Sequence, residues 1–382
     1  MSICYLDNNA TTRVAPEVFE AMRPWFVESF GNASSLHSLG QAAADAVQTA
    51  RTSIARLIGA RSSEEIVFTS GGTESNNAAI HAALARFPAR RRIVASAVEH
   101  EAVLAPLSAL ESAGFEVLRI APNSSGRFAL EDFAAVIDER CALVLLMWAN
   151  NETGALHDIE GVANLCAERK VPFHVDAVQI AGKRELQVAK LGIDTLAISA
   201  HKLHGPKGIG ALYVRSGVAF EPLLRGGGQE HERRAGTENV PGIVGFARAA
   251  ELAQLWIARG GPRELSKLRD RLESGVCARV PHARVHAAEV PRTCNTSNLG
   301  FEGVSGEALV MLLSEYGICA SAGSACASSR HAPSHVLLAM GMDLRAASSS
   351  LRLSLSRETT EEEIERAIEA VCNSVSSLRA LA

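Results

Sequence analysis

Between Ile66 and Val214, short apolar segments alternate with longer stretches of helical spacing. That is the pattern of a mostly parallel sheet whose strands are joined by helices. Ile66-Val67-Phe68-Thr69 reads as a strand running into the Gly71-Gly72 turn, with a helix starting at Thr73-Glu74-Ser75-Asn76. Cys141 to Ala149, the longest strongly apolar stretch, is far too short to cross a bilayer and reads as a central strand. Val171 to Gln179 reads as a short buried strand delivering Asp176 at its C-terminal edge, and Thr195 to Ile198 as the strand that precedes Ser199-Ala200-His201-Lys202. After Gly226-Gly227-Gly228, Ala247 to Ala258 and Pro262 to Val280 have helical spacing and lead into a smaller α+β unit. Thr360 and Glu363 form a capping box, and Ile364, Ile368, Val371, Val375 and Leu378 mark the buried stripe of a terminal helix. The fold class is therefore α/β, with a large, mostly parallel sheet and a second, smaller unit.

Candidate chemistry gathers where these strands end. A lysine that bonds covalently to an aldehyde cofactor sits at the end of a rigid strand, desolvated enough to lose its proton and with room for a ring beside it. Lys202, between polar neighbours and the Gly205-Pro206-Lys207-Gly208 turn, suits that task and points to pyridoxal phosphate. Taken alone, it reads more readily as a solvated loop lysine. The spacing from Asp176 to Lys202 accommodates one helix-and-turn crossover between parallel strands, bringing both side chains to the sheet edge where open α/β sheets place ligands. A carboxylate there holds a pyridine nitrogen protonated and makes the ring an electron sink, although an isolated aspartate also suits a helix N-cap. The Gly71-Gly72-Thr73 turn offers a phosphate cradle, because glycines admit a close anion and a helix start presents unbonded N–H groups.

These segments fall into a longer ordered series. It includes Tyr5-Leu6-Asp7-Asn8-Asn9-Ala10-Thr11-Thr12, Gly31-Asn32-Ala33-Ser34-Ser35-Leu36-His37, Val98-Glu99-His100, Asn150-Asn151-Glu152-Thr153-Gly154 and His174-Val175-Asp176-Ala177-Val178-Gln179. It continues with Arg233-Arg234-Ala235-Gly236-Thr237-Glu238-Asn239, Gly323-Ser324-Ala325-Cys326 and Leu351-Arg352-Leu353-Ser354. Nearly end to end, the chain resembles the cysteine desulfurases of the NifS/IscS family, pyridoxal-phosphate enzymes of the class V aminotransferase group. The resemblance implies the aspartate-aminotransferase-like fold, with a cofactor-binding domain over 16–255 and a small domain formed by 1–15 and 256–382. It implies conversion of L-cysteine to L-alanine, with sulfur passing to a persulfide on Cys326. Lys202 would bond the cofactor, Asp176 would pair with the pyridine nitrogen, His100 would stack on the ring and Gln179 would hydrogen-bond the ring oxygen. Gly72, Thr73, Ser199 and His201 would hold the phosphate, and Thr237 would reach the phosphate of the other subunit in a homodimer with shared sites. Asn151 and Arg352 would clamp the substrate carboxylate, for which a bidentate guanidinium is suited. Cys326, Lys202 and His100 would carry the catalysis. Apart from the resemblance, His100 reads as a helix-start histidine, Asn151 as a turn residue and Arg352 as a solvent-facing position on a strand.

Cysteine usage separates the chain from ordinary aminotransferases. None of its eight cysteines has Cys-x-x-Cys spacing, and most suit buried apolar positions. Cys326 differs, because it lies in a run of small and polar residues without apolar periodicity, near Arg330 and His331, two cations that favour a thiolate. Ala327 replaces the hydroxyl residue of many relatives, and Cys319 reads as structural. No metal site formed by the protein alone is expected, with Cys326 a ligand to a transient iron–sulfur cluster. The 382 residues carry a net charge of −4 and 47% hydrophobic content, enough for a large core and without the basic balance of a nucleic-acid binder. Met1 to Asn9 has neither a basic start nor an apolar run, so a cytoplasmic enzyme with no membrane association is expected. The Asp7-Asn8-Asn9 start and the short end after the terminal helix lean toward the NifS type. An iron–sulfur scaffold protein is then the expected sulfur acceptor, with nitrogenase clusters as one destination. Two rival readings are a selenocysteine lyase with the same machinery and a sulfur-relay scaffold without turnover. Retention of Lys202, Asp176, His100 and Cys326 opposes the second.

Overall fold

The computed structural model describes residues 3–322 and 333–381. Its strands are β1 (Cys4–Tyr5), β2 (Ile66–Thr69), β3 (Arg92–Ser96), β4 (Glu116–Ile120), β5 (Cys141–Leu145) and β6 (Phe173–Asp176). They continue as β7 (Thr195–Ser199), β8 (Gly210–Val214), β9 (Ala283–Val285), β10 (Thr296–Phe301), β11 (Ile318–Cys319) and β12 (Ser350–Ser354). A seven-stranded sheet runs in the order β2-β8-β7-β6-β5-β3-β4, with β8 antiparallel to both its neighbours and every other pairing parallel. β2, β3, β5, β6, β7 and β8 are buried along their whole length, which is why they read as continuous apolar runs rather than alternating ones.

The large core lies on this sheet and takes in Val47, Ile54 and Ile58 from the helix Ser38–Ile58 and Ile243, Phe246 and Ala250 from the helix Val240–Ala258. A second core joins Leu272 and Val276 of the helix Gly261–Arg279 to Leu299 of β10, Leu351 and Leu353 of β12, and Ile364, Ile368, Val371 and Val375 of the terminal helix Glu361–Leu381. The expected capping box is present: Thr360 N donates to Glu363 Oε2 at 2.9 Å, and Glu363 N to Thr360 Oγ1 at 3.2 Å. The three-stranded sheet β12-β10-β9 belongs to this second core, as does Leu6, which directly follows β1.

Two expectations need correction. The central strand in the Cys141–Ala149 run stops at Leu145, although Leu146 N and Trp148 N still donate to the β6 carbonyls of His174 and Asp176 before the turn at Asn150. The crossover from β6 to β7 contains no α-helix; it consists of turns and the 3₁₀ helix Val188–Lys190. Gly182 explains part of this, since it adopts φ +75° and a Cβ there would meet Leu203 Cβ at 3.1 Å and Ala253 Cβ at 3.2 Å. The chain must turn at that point instead of coiling on.

Candidate active site

The carboxyl ends of four strands that run in the same direction, β2, β3, β6 and β7, bring the site residues together. Asp176 closes β6, and Ser199 closes β7 and is followed by the 3₁₀ turn Ala200–Lys202. β2 runs through Ser70 and Gly71 into the helix Gly72–Arg86, and β3 leads through Val98 and Glu99 to His100, the N-cap of the helix Glu101–Ser112. This is the edge at which open α/β sheets bind ligands.

Asp176 is buried, and its carboxylate accepts from Asn76 Nδ2 at 2.7 Å and from Val178 N at 2.9 Å. It makes no ion pair with a described residue. Asn76 is fixed in turn, because its Oδ1 lies 2.9 Å from Nε2 of His174, whose Nδ1 lies 2.8 Å from Thr195 Oγ1. Burial lowers the pKa of His174 to about 3, so its ring is neutral. The aspartate is thus held in one rotamer by a chain of neutral hydrogen bonds, which leaves its negative charge for a cation from outside the chain. A protonated pyridine nitrogen is such a group.

Lys202 Nζ donates to the backbone carbonyls of Asn9 and, at 2.8 Å, Ala10. Gln179 Nε2 donates to the same Asn9 carbonyl at 3.0 Å. The segment after β1 therefore lies across the mouth of β6 and β7. Its position is secured by Asn9 Nδ2, which donates to Thr296 Oγ1 at 2.8 Å and to the Asn151 carbonyl at 3.0 Å.

At the candidate phosphate cradle, Gly72 is required by close approach, since a Cβ there would come within 2.8 Å of Val178 Cγ2 and 3.8 Å of Ser199 Cβ. Thr73 is exposed one residue into the helix, and Ser199 is buried beside it. Burial, followed by the charges of Lys202 and Lys207, lowers the pKa of His201 to about 4, and its Nδ1 lies 3.2 Å from Thr11 Oγ1. A helix N-terminus with the Ser199 side chain close by suits a phosphate. His100 is half-buried and caps its helix, with Nδ1 accepting from Ala102 N at 3.0 Å. Its neighbour Glu99 is buried, and burial raises its carboxyl pKa to about 8, against the hydrogen bond from Ser96.

Arg352 departs most from the reading of its strand alone. It is 2% exposed, donates from Nη1 to the Asn151 carbonyl at 3.1 Å and pairs through Nη2 with Asp7 at 2.7 Å. The bridges Asp7 to Ser354 and Ser321 to Arg352 bring further chain alongside β12, and the Arg352 side chain is enclosed against Asp7 and Asn151 rather than open to solvent. Arg352 Nε and Asn151 Oδ1 are both buried without a partner. A ligand with a carboxylate and an amine would satisfy such a pair. Asn151 does stand in the turn, but the side chain that bonds it is that of Asn150, whose Oδ1 accepts from the backbone N–H groups of Glu152 and Thr153, both at 2.9 Å.

Thr237 is exposed and sits apart from Lys202, lining a hollow with Ser70, Gly208 and Arg234. Cys326, Arg330 and His331 lie outside the described residues. Cys319 is half-buried in β11, opposite Tyr5. Asn9, Asn76, His174 and Lys183 were not singled out as site residues, although the first three stand inside the motifs quoted above. Lys183 lies in none of them, and its only sequence signal is its place four positions after Gln179.

The donor set fits pyridoxal phosphate: a lysine, a cation-seeking buried carboxylate, an imidazole and a helix N-terminus share one sheet edge. Comparison with known proteins agrees. Residues 4–367 match the Aminotransferase class-V family. The chain is 52% identical to a cysteine desulfurase of Cereibacter sphaeroides, covering all of this chain and 98% of that one. It is 48% identical to the cysteine desulfurase NifS of Azotobacter vinelandii, covering 99% and 94% of the two chains. Among solved structures, a NifS-like protein superposes with a TM-score of 0.91 at 38% identity, covering 99% of this chain and all of that one. The chain belongs to the class V aminotransferase family, as a cysteine desulfurase of the NifS/IscS type.

Proposed function

We propose that the enzyme converts L-cysteine to L-alanine and leaves the sulfur as a persulfide on Cys326, with pyridoxal phosphate bonded to Lys202. The observation that carries the assignment is the convergence of Lys202, Gln179 and Asn151 on Asn9, with Arg352 on the same Asn151 carbonyl. Cofactor and substrate groups are thereby locked into one frame. When bound, pyridoxal phosphate supplies a sink for the electron pair left as the substrate Cα–H bond breaks. Asp176 holds the pyridine proton, Gln179 donates to the ring oxygen, and Gly72, Thr73, Ser199 and His201 hold the phosphate. Arg352 and Asn151 bind the substrate carboxylate and so aim the Cα–H bond at Lys202. Lys202 Nζ, released by the incoming amine, takes the Cα proton. His100, against the ring face, moves protons at the substrate. The Cys326 thiolate then bonds to the substrate sulfur as the Cβ–S bond breaks. Cβ keeps the electron pair, takes up a proton and becomes the methyl group of alanine.

The same proposal takes 16–255 as the cofactor-binding domain and 1–15 with 256–382 as the small domain, supported by the two separate cores. It includes a homodimer in which Thr237 serves the other subunit's phosphate. In support, exposed apolar side chains gather in two stretches, at Phe19, Phe26, Val27, Phe30 and Leu36 and at Leu223 and Leu224. An iron–sulfur scaffold as acceptor, a nitrogenase role and a cytoplasmic setting complete the reading. Among the described residues no helix is long and apolar enough to cross a membrane.

The test is the mass of the Cys326 peptide after the cofactor-loaded protein meets L-cysteine without reductant. One added sulfur with alanine formed supports the proposal, and Cys326→Ala should lose the sulfur transfer while staying yellow. Full sulfur release by that variant would remove Cys326 from the mechanism. Turnover of selenocysteine alone would move the substrate assignment to the rival lyase.

A further inference from the structure

A second half-buried lysine stands near the first. Lys183 lies in the turns that follow β6, directed inward by the left-handed Gly182. Its Nζ donates to Gln179 Oε1 at 2.9 Å and to Asn9 Oδ1 at 3.4 Å. It lines a cavity of about 30 Å³ together with Lys202, His204, Asn295 and Arg357, room for about one water molecule. Sequence alone hides it, because Gly182-Lys183-Arg184-Glu185 reads as a solvated turn.

The chemistry of its contacts removes an ambiguity at Gln179. An ammonium only donates, and a backbone carbonyl only accepts. Gln179 is held between the two, with Oε1 against Lys183 and Nε2 against the Asn9 carbonyl. Reversing the amide would set an NH₂ group against an ammonium and a carbonyl oxygen against a carbonyl oxygen. One Nε2 hydrogen then remains, available to donate to a further partner. We propose that Lys183 is a positioning residue: it fixes Gln179 as a hydrogen-bond donor to the cofactor's ring oxygen and sets a positive charge behind Lys202. This deepens the proposed function and rests on Lys202 and Gln179 being cofactor residues. A donor and a cation both favour an ionised ring oxygen, and both weaken the hold of Lys202 Nζ on its proton in the loaded enzyme. Burial lowers the pKa of Lys183 itself to about 7, with the Cys294 thiol opposing that shift and Lys202 and Arg352 adding to it, so the ammonium that orients Gln179 and supplies the charge is fully present only below that pH.

The experiment is a titration of the visible absorption band of the cofactor-loaded protein. Parent, Lys183→Met and Lys183→Arg are compared, and melting temperature serves as the folding control. In Lys183→Met the midpoint should rise by about one pH unit, the usual effect of removing a like charge and a donor at this range. Lys183→Arg, which keeps both, should titrate close to the parent. A purely structural role would move neither midpoint or both alike. An unchanged midpoint in folded, loaded Lys183→Met, or equal shifts in the two variants, would overturn the inference. Should Lys183→Met not fold, Lys183→Gln, which keeps a donor and loses the charge, must show the same upward direction, and an unchanged midpoint there overturns it equally. A parent without any visible band would instead overturn the cofactor assignment.

Discussion

Replacing Arg352 with lysine separates charge from geometry at the candidate carboxylate clamp. The guanidinium is 2% exposed and already spends one N–H on the Asn151 carbonyl and one on Asp7, while its Nε has no partner. A substrate carboxylate that accepts from Nε and a neighbouring nitrogen gains two charge-assisted bonds, each worth about 1.5–3 kcal/mol. Lysine keeps the positive charge and can still pair with Asp7, but it lacks the planar fork. The expected loss is about 3 kcal/mol, on the order of 100-fold in kcat/KM. The carboxylate does not change its bonding during the reaction, so the loss should fall mainly on KM. The assay is alanine formation against L-cysteine concentration, repeated with the methyl ester of L-cysteine, which has no carboxylate. The parent should strongly prefer the acid, and the variant should lose most of that preference. A folded, yellow Arg352→Lys protein that keeps both its kcat/KM and its preference for the acid would refute the clamp.

Two further outcomes concern the frame. Arg51 and Glu230 form a buried pair at 2.6 Å, and Glu230 also accepts from Phe68 N at 2.8 Å, so Glu230→Ala should cost about 3–5 kcal/mol in urea unfolding. Because Glu230 begins the segment that carries Thr237, hydrogen exchange over 226–239 should quicken in that variant, and unchanged exchange would uncouple the pair from that segment. His157 gives a pH signature: burial lowers its pKa to about 4, and Nδ1 lies 2.8 Å from the Met147 carbonyl. Below the unfolded value of 6.5 the unfolded chain takes up a proton that the folded chain refuses, so stability falls with pH by about 1.4 kcal/mol per unit toward pH 4. His157→Gln should flatten that fall between pH 7.5 and 5.5 by about 1.4 kcal/mol, and an equal fall in both proteins would refute the linkage.

The strands that carry Asp176 and Lys202 were legible because both are short, buried runs with turn residues after them, a local property of the chain. The capping box at Thr360 and the apolar stripe from Ile364 to Val375 were legible for the same reason. The β6 to β7 crossover was not, since its length alone admits a helix and only the packing of Gly182 against Leu203 and Ala253 forbids one. Arg352 misled for a related reason. Alternation along β12 describes two faces of a strand but says nothing of the distant Asp7 and Asn151 that meet the Arg352 side chain.

Asn9 sets the limit most clearly. Its carbonyl receives Lys202 and Gln179, its Oδ1 receives Lys183 and Asn295 at 3.4 and 2.9 Å, and its Nδ2 reaches Asn151 and Thr296. The partners come from four separate stretches of chain, around residues 151, 179–183, 202 and 295–296, and Asn295 and Thr296 belong to the small-unit side of the molecule. A local pattern can mark Asn9 as part of a motif, yet its role exists only once both cores have formed around it. The residues proposed as cofactor lysine, ring-oxygen donor and carboxylate clamp are thus registered against one residue near the start of the chain. An error of 1 Å in docking the two cores would misplace all three at once, a displacement of the size that costs enzymes about 100-fold in rate.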